Sequence, residues 1–298
     1  MSSCTHRNSC AMKEVTCSSC NSFNVNPAPH VAVRANQKAS IDVTLSQIKH
    51  TLFIMSGKGG VGKSMVTVNL AVALAARGCK VGVLDVDLHG PSVPVLLGLK
   101  EKLTVADDGT ALFPLQRGDN MRVLSVSLLL TESDVAVIWR GPQKNAAIRQ
   151  FLSGVIWGDL DYLLIDSPPG TGDEHLAILQ AIPTAQCLMV TTPQELSLSD
   201  VRKALNFLEK IKANLFGVIE NMSAFTCPHC GGNISLFAKD GGRALAQKRN
   251  IPFLGTIPFD PLVSVAAELG KPVVEFAESS VAKCAFFTLA DHVTTRLI

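Results

Sequence analysis

Short apolar segments of strand length alternate with segments of helical periodicity from Thr51 to the end of the chain. Continuous apolar strands separated by helices are typical of parallel strands that are covered on both faces. The pattern therefore predicts an α/β fold with a mostly parallel sheet of seven or eight strands and helices on both faces. The strand-like segments read TLFIMS, KVGVLDVD, MRVLSVS, YLLIDSPP, AQCLMVTTP, LFGVIEN and PFLGTIP in chain order.

Two regions depart from this alternation. Between residues 100 and 120 the residues Gly109, Pro114 and Gly118 predict a hairpin inserted between parallel strands. Residues 1–45 lack sustained periodicity, and the prolines and small polar residues of NVNPAPHVAVRANQKAS are typical of a linker. We therefore predict a cysteine-bearing N-terminal extension with a linker over residues 1–45, followed by a folded domain over residues 46–298.

Composition removes several classes of function. Lysine and arginine exceed aspartate and glutamate by 27 to 25, and without a basic aromatic cluster this balance argues against a nucleic-acid partner. The longest apolar runs, such as LAVALAA, are far shorter than the roughly 20 residues that span a bilayer. The first residues, MSSCTHRNSC, lack the apolar region of a secretory signal. We expect a cytoplasmic protein with neither a nucleic-acid nor a membrane partner.

A phosphate-binding loop follows the first predicted strand. The segment GKGGVGKS, from Gly57 to Ser64, fits G-x-x-x-x-G-K-[ST] and stands between a strand and a helix. In such a loop backbone N–H groups surround the phosphates, Lys63 reaches the β- and γ-phosphates, and the Ser64 hydroxyl ligates Mg²⁺. Lys58 has no role in this geometry. It is therefore either a solvated loop lysine or a cation with a target elsewhere.

Carboxylates end two of the predicted strands. Asp166 follows YLLI, and Asp85 and Asp87 follow KVGVL. Ligands gather at the carboxyl ends of parallel strands, so Asp166 is a candidate for the acid that holds Mg²⁺ through water. Asp87 or Asp85 could polarise the attacking water. The alternative for each of the three is a loop or helix-capping carboxylate.

Cysteines occur in two groups. Cys227 and Cys230 form a C-x-x-C turn followed by two glycines, which supplies two of the roughly four ligands of a metal site. Half of a zinc ribbon and a thiol redox pair are the alternatives for this turn. A second group near the N-terminus has enough thiolates for a [4Fe–4S] cluster or a Cys4 zinc site. Its members are Cys4, Cys10, Cys17 and Cys20.

The loop GKGGVGKS resembles the deviant Walker A motif of the MinD, ParA and nitrogenase-iron-protein class of P-loop ATPases. The motifs DVDLHGPSVP, WRGP, DSPPGTGDEH, TTPQE, IENMS and CPHCGG follow in order. Over residues 45–298 the set closely resembles the Mrp/ApbC family with its Nbp-type members. The resemblance implies a P-loop NTPase fold and an ATP-hydrolysing homodimer that binds a labile [4Fe–4S] cluster and transfers it to apo iron–sulfur proteins.

The resemblance also implies roles for individual residues. Lys58 would cross the dimer interface to the partner's nucleotide, Asp87 would act on the attacking water, and residues 166–170 would form the switch II loop. Asn221 would recognise the adenine amino group, and residues 193–195 would lie on the other side of the base. The residues expected at ATP are Gly57, Lys58, Gly59, Gly60, Val61, Gly62, Lys63, Ser64, Met65, Asp85, Pro168, Gly170, Pro193, Glu195 and Asn221.

For the cysteines, the resemblance implies one [4Fe–4S] cluster bridging two chains through Cys227 and Cys230 of each. Nbp-type relatives carry an N-terminal cluster as well, but with a different spacing. Here Asn26 occupies the neighbourhood of one expected cysteine and Cys10 is additional. A second [4Fe–4S] cluster near the N-terminus is therefore expected, and which of these cysteines are its ligands is left open.

Three alternatives remain open from the sequence. A positioning ATPase of the MinD or ParA kind should have a basic amphipathic tail, yet the C-terminal segment has only Lys283 and Arg296 as cations, which favours packing on the sheet. A zinc-stabilised nucleotide-binding module would use one intrachain Cys4 site, formed by Cys17, Cys20, Cys227 and Cys230. An electron-donating reductase would share the dimer and the cluster.

Overall fold

A computed structural model of the chain describes residues 30–87, 90–106, 111–129, 141–227, 230–234, 237 and 240–297. The strands are β1 Ile48–Ser56, β2 Val81–Asp85, β3 Thr104–Val105, β4 Leu112–Phe113, β5 Leu115–Arg117, β6 Met121–Ser125, β7 Leu160–Asp166, β8 Gln186–Thr191, β9 Asn214–Thr226, β10 Asn233–Ile234 and β11 Phe253–Phe259. The helices are α1 His30–Ser46, α2 Lys63–Ala76, α3 Val93–Leu96, α4 Gly141–Gly154, α5 Asp173–Ala181, α6 Glu195–Lys210, α7 Gly241–Lys248, α8 Pro261–Glu268, α9 Val273–Phe276 and α10 Val281–Arg296, with a 3₁₀ turn at Val126–Leu129.

Within these ranges the main sheet has nine strands. Its order is β10-β9-β8-β1-β7-β2-β6-β5, and β11 pairs with β9. The seven strands β11, β9, β8, β1, β7, β2 and β6 pair in parallel, whereas the short strands β5 and β10 are antiparallel. The predicted α/β fold with a mostly parallel sheet is confirmed, and β5 and β10 bring the count above the predicted seven or eight. The predicted hairpin is β3 paired with β4.

Both faces of the sheet are buried, as the continuous apolar strands predict. Successive side chains of a strand point to opposite faces. Accordingly, Leu52 and Ile54 of β1 belong to a core cluster shared with α2 and α10, whereas Phe53 and Met55 belong to a cluster shared with α4, α5 and α6. The helices therefore cover the sheet on both sides and leave its strand ends as the accessible edge.

The linker prediction is wrong where α1 lies. This helix, described over His30–Ser46, crosses the predicted boundary between residues 45 and 46 and packs against α4 and β1. Ile41 is buried in the same core cluster as α4, and Leu45 packs against it. Among residues 38–46, whose side chains the structure describes, these two apolar contacts are too few to produce a visible helical period, which explains why the sequence pattern did not reveal the helix.

The C-terminal helix α10 packs on α2 and β11, as the scarcity of cations in this segment predicts. Arg77 at the end of α2 forms a bidentate hydrogen-bonded pair with Asp291, with both distances at 2.9 Å, and its guanidinium lies 4.8 Å from the centre of the Phe287 ring. None of the helices in the described ranges has the length and apolar character needed to cross a bilayer.

Candidate nucleotide site and cysteine turn

The phosphate-binding loop joins β1 to α2 at the carboxyl edge of the sheet. Gly60 and Gly62 have φ angles of 80° and 81°, in the left-handed region that glycine adopts without a steric cost. Gly62 directly precedes α2, whose first turn has no side-chain cap. The first N–H groups of α2 are therefore available to an anion, and the helix dipole favours negative charge there.

Two of the loop glycines, Gly57 and Gly62, allow close packing against neighbouring elements. A Cβ atom on Gly57 would lie 2.5 Å from the backbone carbon of Asp200 and the backbone nitrogen of Val201, so the loop sits directly on α6. A Cβ atom on Gly62 would collide with the side-chain amide of Asn221. Gly57 is thus the point at which the loop contacts α6, and its contact with ATP stays a prediction.

A compact group of polar side chains surrounds Asp166 at the end of β7. Lys63 Nζ lies 2.8 Å from Asp166 Oδ2, and Ser64 Oγ donates to the same oxygen at 2.6 Å. Thr67 Oγ1 lies 2.7 Å from Asp166 Oδ1. Asp166 is fully buried and Lys63 is 6% exposed, so each charge is compensated mainly by the other. The Ser64 hydroxyl and the Asp166 carboxylate are adjacent oxygen donors, the chemistry that Mg²⁺ prefers.

Asp85 and Asp87 lie beside this group. Asp85 is the register partner of Asp166 on the neighbouring strand, and burial, followed by the Asp166 charge, raises the pKa of Asp85 from its usual 3.8 to about 8. Its carboxyl accepts the Asp87 backbone N–H at 3.0 Å and the Ser125 hydroxyl at 3.0 Å. Asp87 Oδ1 accepts the Gly90 N–H at 3.3 Å. Asp85 therefore holds the backbone that presents Asp87.

A cavity of about 320 Å³ opens between the loop and the segment that follows β2. Its lining includes most of the residues expected at the phosphates. Lys58 is half-buried at this cavity, and its side chain forms no ion pair within the described part of the chain. The lining residues are Ser56, Lys58, Gly59, Gly60, Val61, Gly62, Lys63, Ser64, Met65, Asp87, Ser92, Leu96 and Pro169.

The loop after β7, predicted as switch II, is tied to the phosphate-binding strand. Gly170 has a φ angle of 91°, and its N–H donates to the Ser56 carbonyl at 3.0 Å. Farther along, the Gly172 N–H donates to His175 Nδ1 at 3.2 Å. Burial lowers the pKa of His175 to about 4, so the imidazole is neutral and can accept this bond. Pro168 lies inside the loop and does not line the cavity.

The residues expected around the base lie behind or beside the loop. Asn221 on β9 is buried, and its Nδ2 donates to the Val61 carbonyl at 2.9 Å. Pro193 is buried, whereas Glu195 at the start of α6 is exposed and pairs with Arg202 at 2.5 Å. None of these three lines the cavity at the phosphates. Contacts of Asn221, Pro193 and Glu195 with adenine stay predictions.

The cysteine turn follows the end of β9. The Cys227 N–H donates to the Gly232 carbonyl at 2.9 Å, and the Gly231 N–H donates to the Cys227 carbonyl at 2.9 Å, which closes a tight turn. Cys227 is half-buried and Cys230 is exposed. Within the described ranges, no three side chains of His, Cys, Asp or Glu converge on one point. The N-terminal Cys4, Cys10, Cys17 and Cys20 lie outside the described residues.

Two polar residues of the site were not foreseen from the sequence. Thr67 contacts Asp166, and Ser125 contacts Asp85, across 99 and 40 residues of sequence. Thr67 stands one helical turn after Lys63, and Ser125 ends β6 at the same edge as Asp85. These positions are the signals from which both residues could have been found, because an edge shared by strand ends collects polar side chains.

Comparison with known proteins finds relatives that match most of the chain. The family model described as ParA, NUBPL iron-transfer P-loop NTPase, matches residues 47–294. An iron–sulfur cluster carrier protein of Methanocaldococcus jannaschii is 46% identical over 259 residues, covering 87% of this chain and 89% of the relative. The human cytosolic Fe–S cluster assembly factor NUBP2 is 46% identical over 253 residues, covering 84% of this chain and 93% of the relative.

Solved structures show the same architecture. A nucleotide-binding protein from Archaeoglobus fulgidus in complex with ADP is 40% identical with a TM-score of 0.70, and the match covers 80% of this chain and 93% of that chain. The cell division ATPase MinD of Pyrococcus furiosus is 27% identical with a TM-score of 0.61, and the match covers 83% of this chain and 99% of that chain.

Proposed function

Because the chain belongs to the family of NUBPL iron-transfer P-loop NTPases, we propose that it is a Mg²⁺-dependent ATPase that carries a [4Fe–4S] cluster to apo-proteins. The cluster is the cargo of this activity. One observation supports the proposal above the others: strand β9 joins the two candidate sites. Asn221 on β9 contacts the phosphate-binding loop, and Cys227 lies six residues farther along, a span of about 20 Å for an extended strand.

In the proposed hydrolysis, the residues around Asp166 change partners. Lys63, now paired with Asp166, turns to the β- and γ-phosphates, whose negative charge exceeds that of one carboxylate. Ser64 and Asp166 would hold Mg²⁺, which when bound would supply positive charge against the phosphates. Asp87 orients the attacking water from the other side of the cavity. Its backbone is held by Asp85, so its carboxylate is already positioned before nucleotide binds.

Lys58 supports a homodimeric arrangement. It lines the cavity and is half-buried, while Lys63 at the start of α2 occupies the position of the phosphate-binding lysine. A second cation beside the phosphate-binding loop can reach a nucleotide held by another copy of the chain. We propose that two chains pack with their nucleotide sites facing each other and that Lys58 stabilises the transition-state charge on the partner's nucleotide.

The two-fold axis that relates two such chains also completes the cysteine site. One chain offers Cys227 and Cys230, whereas a [4Fe–4S] cluster requires four thiolates. A two-fold axis places identical residues opposite each other, so two copies of the turn supply two thiolates each and four in total. The exposure of Cys230 makes such a cluster accessible to an acceptor protein. The N-terminal Cys4, Cys10, Cys17 and Cys20 are proposed as ligands of a separate cluster.

The proposed setting is the cytoplasm, in line with the word cytosolic in the names of the human relative and of the Eremothecium gossypii relative CFD1. Apo iron–sulfur proteins are the proposed clients. Neither a nucleic acid nor a membrane is proposed as a partner, because the chain has nearly balanced charge and no basic patch in its sequence.

The proposal is tested by anaerobic reconstitution with iron and sulfide. The readouts are visible absorbance, iron and acid-labile sulfide per dimer, and cluster transfer to an apo-ferredoxin, with and without ATP. The Cys227→Ala/Cys230→Ala variant should lose the bridging cluster and the transfer while it keeps ATP binding. The control is Cys79→Ala/Cys284→Ala, which removes two thiols outside the turn and should behave as the unaltered protein.

Two outcomes contradict the proposal. If the protein isolated anaerobically holds zinc without iron or sulfide and does not exchange it for a cluster, the zinc-stabilised module is the better account. If the cysteine variant retains full iron and transfer after the four N-terminal cysteines are also replaced, the turn does not hold the cargo. ATP-dependent electron transfer to a partner, without cluster transfer, would favour the reductase.

A further inference from the structure

A buried histidine stands directly behind the loop after β7. His175 is fully buried, and no polar group of the described residues forms a hydrogen bond with its Nε2. Its Nδ1 accepts the Gly172 N–H at 3.2 Å, so the proton of the neutral ring is on Nε2. A buried N–H group without a partner costs free energy. The Nε2–H of His175 is therefore a donor in need of an acceptor.

Three contacts hold this ring and the helix that carries it. His175 is the third residue of α5, and its bond to the Gly172 N–H is the backward contact that glutamate or glutamine makes in a capping box. The ring meets the Phe53 ring of β1 edge to face, with centroids 5.7 Å apart. The preceding Glu174 forms an ion pair with Lys144 of α4 at 3.0 Å. The imidazole is thus anchored to β1 and α4 and has little freedom to turn toward a distant partner.

The backbone carbonyl that acts on this ring belongs to Pro168. Burial lowers the pKa of His175 to about 4, whereas the Glu174 charge and the Pro168 carbonyl act in the opposite direction, so that carbonyl lies near the ring. It accepts the Ser167 hydroxyl at 2.9 Å and, with two lone pairs, can accept a second donor. The Pro168 carbonyl is thus an available acceptor for the Nε2–H, although the two do not form a hydrogen bond in this structure.

The same carbonyl is joined to the phosphate-binding cavity by one peptide bond. Pro169 lines the cavity, and a Cβ atom on Gly59 would lie 3.9 Å from two carbons of the Pro169 side chain. The Pro168 carbonyl belongs to the planar peptide group that Pro169 completes. A phosphate that contacts Pro169 can therefore turn the Pro168 carbonyl. After burial and these two opposing effects, the Lys63 charge also lowers the pKa of His175, so the ring is within electrostatic reach of the phosphate-binding lysine.

We propose that His175 is a positioning residue for ATP hydrolysis, which fixes the loop after β7 by donating its Nε2–H to the Pro168 carbonyl while Nδ1 keeps the Gly172 N–H. One imidazole then holds two points of the loop that are four residues apart. This pairing keeps Pro169 at the phosphates and fixes the backbone that follows Asp166, a proposed Mg²⁺ ligand. The inference rests on the proposed function, because the reaction that it serves is the proposed hydrolysis.

Two substitutions separate the roles of the two ring nitrogens. Asparagine places an amide at the Nδ1 position, where its oxygen can accept the Gly172 N–H, and glutamine places an amide at the Nε2 position, where its nitrogen can donate. His175→Asn should bind ATP with unchanged affinity and lose about three- to tenfold in kcat, the value of one hydrogen bond. His175→Gln should recover most of kcat and lose stability, because the Gly172 N–H loses its acceptor.

A histidine that only caps α5 predicts the reverse order. His175→Asn would then keep the kcat of the unaltered protein, and His175→Gln would be the impaired variant; this order would overturn the proposal. The matched control is His292→Gln, which alters an imidazole on α10 whose Nδ1 donates to the Leu254 carbonyl at 2.9 Å. Its kcat and its affinity for ATP should equal those of the unaltered protein.

A second measurement uses the unaltered protein and does not depend on turnover or on the folding of a variant. Nitrogen-15 NMR of histidine-labelled protein follows the Nε2 proton of His175, identified by its loss in His175→Asn, with Mg²⁺ alone and with a non-hydrolysable ATP analogue. The analogue should move this proton resonance downfield and slow its exchange with water, while the His292 resonances stay in place. An unchanged His175 resonance with the analogue bound would overturn the proposal.

The two measurements also distinguish this inference from the proposed function. A protein that shows the shift with the analogue but does not hydrolyse ATP would refute the proposed ATPase and support the contact between His175 and Pro168. A protein that hydrolyses ATP equally fast with His175→Asn would refute the role of His175 and leave the proposed ATPase intact.

Discussion

The buried Asp85 offers the sharpest test of the electrostatics of the site. Asparagine in its place keeps an oxygen to accept the Asp87 N–H and has an amide that can donate to Ser125. It cannot ionise. Asp85→Asn therefore preserves the hydrogen bonds and removes only the titration of a group that lies beside Asp166.

The sign of the effect follows from the raised pKa. The unfolded chain releases the Asp85 proton near pH 3.8, whereas the folded chain keeps it until about pH 8. Between these values the folded state binds more protons, so each pH unit lowers the free energy of unfolding by about 1.4 kcal/mol. The free energy of unfolding of Asp85→Asn does not fall in this way, because asparagine does not titrate. We expect it to be more stable than the unaltered protein by about 2–4 kcal/mol at pH 7, with the difference disappearing near pH 4.

The assay is urea unfolding at pH 5, 6, 7 and 8 without nucleotide or Mg²⁺. Fluorescence reports the transition, because Trp157 is 1% exposed in the folded protein. The control is Asp161→Asn, whose difference in free energy of unfolding from the unaltered protein should stay constant between pH 5 and pH 8. The Lys49 ammonium, followed by the Lys80 N–H, lowers the pKa of Asp161 from 3.8, so its contribution is fully present throughout this range and is lost only at lower pH.

The reasoning is wrong if Asp85→Asn is no more stable than the unaltered protein at pH 8. It is also wrong if the difference in the free energy of unfolding stays constant between pH 5 and pH 8. Either result would mean that Asp85 is ionised in the folded state and is compensated by groups other than those found around it.

Three further predictions concern hydrolysis. Lys63→Ala should abolish nucleotide binding in equilibrium titrations, whereas Lys58→Ala should bind normally and release phosphate slowly; equal loss of binding would contradict the interfacial role. Asp87→Ala should bind ATP without hydrolysing it, and unchanged phosphate release would move the water-activating role elsewhere. Thr67→Val removes a hydroxyl 2.7 Å from buried Asp166 and should lower stability by about 1–3 kcal/mol along with the hydrolysis rate. Unaltered values in chemical denaturation and phosphate release would show that this contact is dispensable.

The sheet and the phosphate-binding loop could be predicted because their signals are contiguous. Each buried strand is a short apolar run, and residues 57–64 carry their spacing within eight positions. The strand-end carboxylates Asp85 and Asp166 followed from the rule that parallel strands share a carboxyl edge. To predict that Asp85 and Asp166 are register partners, the strand order is needed in addition, because it places β2 next to β7.

The missed features depend on contacts between distant parts of the chain. Thr67 and Ser125 are ordinary hydroxyl residues until the sheet brings each to a carboxylate. Within residues 38–46 of helix α1, whose side chains the structure describes, only Ile41 is buried, which is too little to show a period, and two residues of strand β10 are too few for an alternating pattern. The contact of Asn221 with the Val61 carbonyl, a pairing across 160 residues, was likewise not foreseen, while its contact with adenine stays a prediction.

The central claim is that one [4Fe–4S] cluster bridges two chains through Cys227 and Cys230. Native mass spectrometry of the anaerobically reconstituted protein tests it most directly, in a variant with Cys4, Cys10, Cys17 and Cys20 replaced by serine. The account predicts a species of two chains with a single [4Fe–4S] cluster, and its loss in the same variant carrying Cys227→Ala and Cys230→Ala. A cluster or a zinc ion bound to each separate chain would contradict it.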